Sequence, residues 1–361
     1  MTDTQHIGAV ARHFEIPGEF VGAVPYGNGH INDSYRAEFN VAGASTRFIV
    51  QRINHNIFGD PVALMQNIQR VTAHLAAQVA GQPDAARRAL SLVSARDGQA
   101  WHRDAEGNYW RAYHFIERAR SYDTVQSPRQ AFQAARAFGQ FQQMLASLPA
   151  PRLNDTIPDF HHTPKRFAAL ERAIAADAAD RAAQAKPEVD FALAHKPMVS
   201  GLLDAHLPEH VTHNDTKFNN VLLDDATSEA ICVIDLDTVM PGLAPYDFGD
   251  MVRTTTSPAA EDERDLAKVT MQFPMFEALV RGYLASAGEF LTKAEKQSLG
   301  FSGKLITFET GIRFLADHLN GDTYFKVHRE GQNLDRCRTQ FALVRSIEQQ
   351  EEAMNRLVDS L

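Results

Sequence analysis

Four residues in the segment 213–235 have the types and spacing that phosphoryl transfer requires. His213, Asp215 and Asn220 form a His-x-Asp-x-x-x-x-Asn pattern, and an apolar run ends in Asp235, twenty residues after Asp215. This reaction needs an Asp that orients or deprotonates the attacking hydroxyl, together with an Asn and a second Asp that hold Mg²⁺ across the nucleotide phosphates. The segment therefore predicts a phosphoryl-transfer site that uses a nucleotide and Mg²⁺.

A literal Asp-Phe-Gly at Asp247–Gly249 competes with Asp235 for the metal-binding role. It lies thirty-two residues past Asp215, whereas Asp235 directly follows a strand-like run at the spacing of a catalytic hairpin. We therefore assign the metal role to Asp235. Asp247 is expected to brace the catalytic loop instead.

Lys217 is a candidate catalytic cation. It lies two residues beyond Asp215, in the expected catalytic loop. A positive charge there could stabilise the phosphoryl group in transit. A solvated surface lysine is an equally acceptable interpretation, and the sequence leaves both open.

A glycine-containing stretch near the start of the chain, Tyr-Gly-Asn-Gly-His, joins two strand-like segments. Gly27, Asn28 and Gly29 could cradle phosphates through their backbone N–H groups, or they could form a plain hairpin turn. Beside the phosphoryl-transfer motif we favour the phosphate loop. His30 is a candidate for contact with the acceptor.

The first part of the chain predicts a small sheet with one long helix. Segments within 19–53 alternate apolar and polar residues and are separated by Gly-containing breaks, as strands are. Pro61 then opens a helix whose apolar residues recur at helical spacing up to Val79. Strand character returns over 90–116.

From Glu117 onward the pattern becomes mainly helical. The chain is again mostly helical from Asp262, after the catalytic segment, and amphipathic or Ala-rich helical stretches cover 130–148, 168–185 and 191–205.

A β-rich part followed by a larger helical part predicts an α+β fold with two lobes, as in protein kinases. We place a nucleotide-binding lobe in residues 1–116 and a catalytic and acceptor-binding lobe in residues 117–361. The boundary is a change of secondary structure without a flexible linker.

The lysine expected on the third strand, which would contact the α- and β-phosphates, is absent. The strand FIVQRI offers Gln51 or Arg52, and Arg52 is the better electrostatic candidate for nucleotide binding. The helix that follows contains no Glu, so the usual Lys–Glu ion pair is absent or rebuilt from other groups.

The junction between the lobes is a candidate adenine site. Phe115 and Ile116 would run past the base, and backbone groups there would bind its edge. Packing in the core at the end of a strand is compatible with this role for either side chain.

The composition favours a globular protein whose partners are small molecules. A hydrophobic content of 44% supports a real core, and a formal charge of −9 disfavours nucleic acid or an anionic membrane surface as the main partner. Two cysteines supply neither a disulfide framework nor a metal-ligand pair. With no signal-peptide pattern and no membrane-length apolar run, we expect a cytoplasmic protein, as a monomer or weak homodimer.

Three segments of the chain resemble the aminoglycoside phosphotransferase and choline kinase group of small-molecule kinases, and within it the N-acetylhexosamine 1-kinases. The resemblance implies that Asp215 is the catalytic base and that Asn220 and Asp235 are the metal ligands. It also implies that Arg313 and Tyr324 contact the sugar. The three segments are YGNGHINDSYR, HNDTKFNNVLLD with VIDLDTVMPG, and IRFLADHLNGDTYFKVHREGQNLDRCRTQ.

The function expected from the motif and the resemblance is ATP-dependent phosphorylation of a sugar, at the anomeric hydroxyl of an N-acetylhexosamine. Choline, ethanolamine, homoserine or an aminoglycoside could be the acceptor instead. A nucleotide-binding pseudokinase would fit the missing Lys and Glu, but it has little need of Asp215, Asn220 and Asp235 together. The C-terminal segment offers a mixed polar set that suits neutral hydroxyls: Arg313, His318, Asn320, Asp322, Tyr324, His328 and Arg336.

Overall fold

A computed structural model of the protein describes residues 3–27 and 31–361. Its first lobe is an antiparallel sheet with strand order β1-β2-β3-β6-β4, in which β5 also pairs with β6. The strands are β1 Glu19–Pro25, β2 Asp33–Val41, β3 Ala44–Ile53, β4 Leu92–Val93, β5 His102–Arg103 and β6 Tyr109–His114. The helices are α1 Asp3–Ala11, α2 Pro61–Val79 and α3 Ala85–Arg88.

The two faces of this sheet are buried against different parts of the molecule. On β3, Phe48 and Val50 join a cluster that includes Val10 of α1. Ile53 faces the other way and joins the main core, which continues into the second lobe. The alternation follows from the two-residue period of a strand. Helix α1 lies outside the elements that the sequence pattern indicated.

Helix α2 has the bounds that its sequence predicts. The Asp60 side chain accepts a hydrogen bond of 2.9 Å from the Ala63 backbone N–H, and Pro61 occupies the first turn, where a missing N–H costs nothing. The apolar stripe that includes Leu64 and Ile68 is fully buried. Burial of each such side chain contributes about 1.5–3 kcal/mol.

The second lobe is mainly helical and carries two small sheets, β10-β9-β7 and β11-β8. Its strands are β7 Ala119–Arg120, β8 His210–Thr212, β9 Val221–Asp224, β10 Ala230–Val233 and β11 Met240–Gly242. Its helices are α4 Pro128–Leu145, α5 Thr163–Ala176, α6 Lys186–Ala194, α7 Gly201–Asp204, α8 Ala244–Thr255, α9 Phe273–Ala287, α10 Lys293–Gln297, α11 Leu299–Leu319, α12 Gln332–Glu348 and α13 Glu351–Asp359. Short 3₁₀ turns cover Lys196–Met198, Phe218–Asn220, Leu236–Thr238 and Leu266–Lys268.

This arrangement confirms the α+β fold with a sheet-based first lobe and a mainly helical second lobe. Two predicted helices differ in their bounds. Helix α5 ends at Ala176, because Asp177 takes a left-handed conformation with φ 38°. The stretch 191–205 is interrupted around Pro197, whose ring removes a backbone donor. Within the described residues, no helix is long and apolar enough to cross a bilayer.

Helices α4 and α9 approach each other closely through glycines. A Cβ atom at Gly139 would lie 2.8 Å from the Tyr283 carbonyl oxygen, and one at Gly282 would overlap the Phe132 carbonyl oxygen. The close packing allows the Tyr283 hydroxyl to donate a hydrogen bond to the Gln142 side chain of α4. Gln142 is thereby fixed beneath the loop that follows β8.

Candidate active site

The loop after β8 brings Asp215 and Asn220 together. Asn214 has a positive φ of 65°, which turns the chain sharply before Asp215. Asn220 then donates from Nδ2 to the Asp215 carbonyl oxygen at 2.8 Å and to its carboxylate at 3.2 Å. Lys217 places Nζ 2.8 Å from Asp215 Oδ1. The Asp215 side chain is 24% exposed, so an acceptor molecule can reach it.

A second loop, directly after β10, carries Asp235. Its backbone has φ 60°, and no described residue donates a hydrogen bond to its carboxylate. His213 joins the two loops, because its Nε2 donates to the Ile234 carbonyl oxygen at 2.9 Å. The two loops therefore place Asp215, Asn220 and Asp235 close to one another.

The electrostatics of Asp235 suit a site that receives a cation. The Asp235 side chain is exposed to solvent, but the protein atoms crowded around it partly exclude water and raise its pKa to about 6. The negative charges of Asp237 and Asp215 add to the rise, while Arg111 opposes it. A divalent cation would favour the ionised carboxylate. The free carboxylate of Asp235 and the amide oxygen of Asn220 are hard oxygen donors, which fit Mg²⁺.

Magnesium in phosphoryl transfer shares its coordination between one or two protein carboxylates and the phosphates. Among the described residues, no group of three or more His, Cys, Asp or Glu side chains is arranged to hold a metal ion alone. The pair of Asn220 and Asp235 therefore fits a metal that arrives with a nucleotide.

The Asp-Phe-Gly tripeptide lies inside α8, and Asp247 is fully buried. Its carboxylate accepts hydrogen bonds from the backbone N–H groups of His213 at 2.8 Å and Asn214 at 2.6 Å. Gln142 of α4 donates a third at 2.5 Å. Since donors occupy both oxygens, Asp247 braces the catalytic loop from below, as expected.

A second brace comes from Asp250, one turn further along α8. Its Oδ2 accepts from the Thr216 backbone N–H at 2.8 Å, and its Oδ1 pairs with the buried Arg253 at 2.8 Å. Arg253 is also among the charges that lower the pKa of Asp215. The sequence did not single out Arg253, because an Arg inside an amphipathic helix carries no distinguishing local pattern.

Asp215 is held in its ionised form. Burial opposes ionisation, but the adjacent Lys217 outweighs it, and the pKa lies below the usual range. The pKa of Lys217 is raised in return by Asp215. At neutral pH the pair is a carboxylate beside an ammonium group, which can bind a hydroxyl on one side and a phosphate oxygen on the other.

Residues 22–288 match the model of the phosphotransferase enzyme family APH. That match covers well over half of the chain and contains both loops of the site. The chain belongs to this phosphotransferase family.

The fold of the phosphotransferase is similar to that of several solved kinases. An aminoglycoside phosphotransferase from Alicyclobacillus acidocaldarius is 12% identical, with 98% of this chain and 96% of that chain covered and a TM-score of 0.65. A choline kinase from Cryptosporidium parvum is 14% identical, with 98% of each chain covered and a TM-score of 0.58. A spectinomycin phosphotransferase in complex with ADP and its antibiotic is 15% identical over 96% and 98%, with a TM-score of 0.57.

The predicted phosphate loop of the phosphotransferase is described only in part. Gly27 has a positive φ of 83°, which an L side chain rarely adopts. Asn28, Gly29 and His30 lie outside the described residues. Tyr26, directly before the loop, packs its ring edge-on against Phe115 with 5.6 Å between the centroids.

The lobe junction forms an apolar surface close to the loop that carries Asp235. Ile116 is buried with Leu222 of β9 and Cys232 of β10, and Ile234 packs against the same cluster. Phe115 is half-buried under the Arg47 guanidinium, 4.5 Å from the ring centroid. Flat apolar surfaces of this kind suit a nucleotide base.

The structure does not place Arg52 in the cleft, in contrast to its sequence-based assignment. Arg52 pairs with Asp33, its register partner on β2, and both side chains are about half exposed. Strand alternation puts Gln51 on the opposite face, where its Oε1 accepts from the buried Arg111 at 2.6 Å. The sequence left this register open, and the β3–β6 pairing decides it.

The predicted acceptor residue Arg313 lies on α11, with its guanidinium over the rings of Phe160 at 5.5 Å and Phe325 at 5.6 Å. No described carboxylate forms a salt bridge with it. Asp317, one turn further on, instead accepts hydrogen bonds from the backbone N–H groups of residues 323–325. Tyr324, the middle residue of this segment, is 61% exposed.

His161 links the catalytic loop to α11. Its ring is buried, and it contacts the buried Glu309 of α11 at 2.8 Å and the Asn214 carbonyl oxygen at 3.2 Å. Thr163 donates to the same carboxylate at 2.6 Å. Since Glu309 lies one helical turn before Arg313, this network connects α11 to the loop that carries Asp215.

Proposed function

We propose that the protein is an ATP-dependent sugar kinase that phosphorylates the anomeric hydroxyl of an N-acetylhexosamine and releases a sugar 1-phosphate. The transfer chemistry rests on one observation: Asp215, Asn220 and Asp235 meet on two loops joined by His213. This arrangement supplies the base and the metal ligands that phosphoryl transfer to a hydroxyl needs.

The choice of a sugar rests on Arg313. Its guanidinium lies without a salt-bridge partner among the described residues, over the rings of Phe160 and Phe325. Phe325 in turn packs against the exposed Tyr324. The guanidinium of Arg313, which also lowers the pKa of the buried Glu309 one turn away, would disfavour the positive charge of choline, ethanolamine or an aminoglycoside. It offers five hydrogen-bond donors to neutral oxygens, such as those of hydroxyl and acetamido groups. His30 is proposed as a further sugar contact.

In the proposed reaction, Asp215 accepts a hydrogen bond from the anomeric hydroxyl and aligns its oxygen with the γ-phosphorus. A new P–O bond forms while the bond to the β–γ bridging oxygen breaks, and ADP leaves with that electron pair. The hydroxyl proton passes to Asp215. Lys217 lies where its charge can offset the phosphoryl oxygens. Mg²⁺ bound by Asn220 and Asp235 would supply further charge neutralisation.

The nucleotide is proposed to bind between the lobes. Gly27, Asn28 and Gly29 would approach its phosphates, and Phe115 and Ile116 would line its base. On this view residues 1–116 form the nucleotide-binding lobe and residues 117–361 hold the catalytic loop and the acceptor. Dependence on ATP agrees with a cytoplasmic reaction.

An ATP-consumption screen with Mg²⁺ tests the proposal. The acceptors are N-acetylhexosamines, simple hexoses, choline, ethanolamine, homoserine and aminoglycosides, and the Asp215→Asn variant is the background control. We expect the highest kcat/KM with an N-acetylhexosamine and a phosphorus-31 signal of a glycosyl phosphate. Preference for an amino alcohol would replace the sugar assignment, and nucleotide binding without any turnover would favour a pseudokinase.

A further inference from the structure

The nucleotide lobe lacks the usual ion pair between a strand lysine and a helix glutamate. Gln51 stands on β3 where a cation would be expected to face the cleft, and α2 contains no acidic residue. A buried arginine, Arg111, lies directly beside Gln51, since the two are register partners on β3 and β6. In this protein the neighbouring strand, β6, therefore carries the cationic group that β3 lacks.

Arg111 connects this sheet to the metal loop. Its Nη1 lies 2.5 Å from Asp237 Oδ1, and the two side chains are 1% and 4% exposed. Its Nε and Nη2 donate to Gln51 Oε1 at 2.8 and 2.6 Å. Asp237 belongs to the 3₁₀ turn that begins directly after Asp235. The guanidinium thus fixes a carboxylate two residues from the proposed metal ligand.

The other oxygen of Asp237 reaches the segment that follows the predicted phosphate loop. Asn32 donates to it from Nδ2, and the Asn32 amide oxygen accepts from the Asn54 backbone N–H at 2.9 Å. One carboxylate from the second lobe is therefore bound by both β6 and the exit of the phosphate loop. Removing the Asp237 carboxylate would release both Arg111 of β6 and Asn32 from the loop that carries Asp235.

We propose that Arg111 and Asp237 are positioning residues that set the metal-binding loop against the nucleotide lobe, in place of the missing Lys–Glu pair. Burial of two charges is costly and is a weak source of stability, so a buried pair is more readily explained by the geometry it imposes. The inference rests on the proposed kinase function, because it concerns the same Mg²⁺-nucleotide site.

The test measures how strongly Mg²⁺ tightens nucleotide binding, by calorimetry with a non-hydrolysable ATP analogue, with and without Mg²⁺. The double variant Arg111→Met/Asp237→Asn removes both charges and avoids leaving one of them buried alone. We expect the Mg²⁺-induced gain in affinity to fall by about 10-fold or more, the effect typical of residues behind metal ligands. Binding of the metal-free analogue should change much less.

The matched control is Arg87→Met/Asp224→Asn. Arg87 of α3 and Asp224 of β9 also form an ion pair between the lobes, at 2.7 Å, with side chains 12% and 14% exposed. Asp224 lies near the turn of the β9–β10 hairpin, whereas Asp235 follows the opposite end of that hairpin. We expect removal of the pair to lower the melting temperature and to leave the Mg²⁺ effect unchanged. An equal loss of the Mg²⁺ effect in the control would overturn the proposal.

A conservative variant, Arg111→Lys, covers the case in which the double variant does not fold. Its ammonium keeps the charge but cannot hold Gln51 and Asp237 at once, so a smaller loss of the Mg²⁺ effect is expected. An unchanged Mg²⁺ effect in whichever of these variants folds would overturn the inference and leave the kinase proposal intact. Absence of any Mg²⁺ effect in the wild-type protein would instead defeat the proposed metal site, and the inference with it.

Discussion

At neutral pH the carboxylate that we propose as the catalytic base, Asp215, is already paired with a cation. Lys217 outweighs the effect of burial and lowers the pKa of Asp215, so this side chain is a weak base. A weak base gains little from early proton abstraction. In the proposed reaction its main contribution would be to orient the hydroxyl and to take the proton late, when the forming P–O bond has acidified the hydroxyl.

Asp215→Asn tests this role. The amide keeps the shape of the side chain but can neither take a proton nor pair with Lys217. We expect kcat to fall by about 10²-fold or more. Calorimetry should show nearly unchanged nucleotide binding. Near-wild-type turnover of the variant would remove Asp215 from the mechanism.

The raised pKa of Asp235 predicts pH-dependent binding of the Mg²⁺-nucleotide complex. An acid with a pKa of about 6 is nearly all ionised at pH 7.5 but mostly protonated at pH 5.5. Since Mg²⁺ requires the ionised form of Asp235, the gain in nucleotide affinity that Mg²⁺ provides should be about 4-fold smaller at pH 5.5 than at pH 7.5. Binding of the metal-free nucleotide, measured at both pH values, is the control for protonation of the nucleotide itself. A Mg²⁺ contribution that does not change with pH would contradict Asp235 as a ligand.

Arg313→Ala tests the acceptor site. Loss of a charged hydrogen bond costs about 1.5–3 kcal/mol, so KM for the sugar should rise about 10- to 150-fold while KM for ATP stays nearly constant. Arg345→Ala is the matched control, because Arg345 also stacks on an aromatic ring, Phe191, at 4.5 Å. A lowered melting temperature with both KM values unchanged would make Arg313 a structural residue.

At the scale of elements, helix α8 supports the loop that carries Asp215. Asp247 and Asp250 are one turn apart, and together they accept hydrogen bonds from the backbone N–H groups of His213, Asn214 and Thr216. A loop whose backbone donors are satisfied by a rigid helix keeps its side chains in place without substrate. The positive φ of Asn214 is maintained by the same contacts.

Two alanine variants separate the brace from the metal ligand. Asp247→Ala leaves three buried donors without an acceptor, each costing about 1–3 kcal/mol, so the melting temperature should fall by several degrees. Asp235→Ala removes a carboxylate that no described residue binds, so it should abolish Mg²⁺-dependent turnover with little loss of stability. The reverse pattern would assign the metal to the literal Asp-Phe-Gly motif.

Across the whole molecule, the sequence predicted those features that depend on neighbours along the chain. Helix α2 was located from its opening proline and apolar spacing, and the proposed catalytic residues lie within one segment. Features that depend on distant partners were missed. Glu309 and His161 are 148 residues apart, and Arg111 finds Asp237 only after the two lobes pack. No local pattern distinguishes such residues from ordinary surface charges.

The hydrophobic core is continuous across the boundary between the lobes. Leu64 and Ile68 of α2 belong to the same buried cluster as Phe138 and Phe141 of α4. Asn67, also on α2, donates hydrogen bonds across the boundary to the carbonyl oxygens of residues 154 and 239. The first lobe therefore depends on the second for the burial of one face of its long helix.

A fragment of residues 1–116 should not fold by itself. It would expose the apolar face of α2, and each uncovered leucine or isoleucine forfeits about 1.5–3 kcal/mol, against a typical domain stability of about 5–15 kcal/mol. We expect the fragment to show no cooperative thermal transition by circular dichroism. Co-expression with residues 117–361 is the control: it restores the missing surface, and a stable complex with one transition should result. A sharp transition in the isolated fragment would show that its sheet and α1 carry enough core without α4.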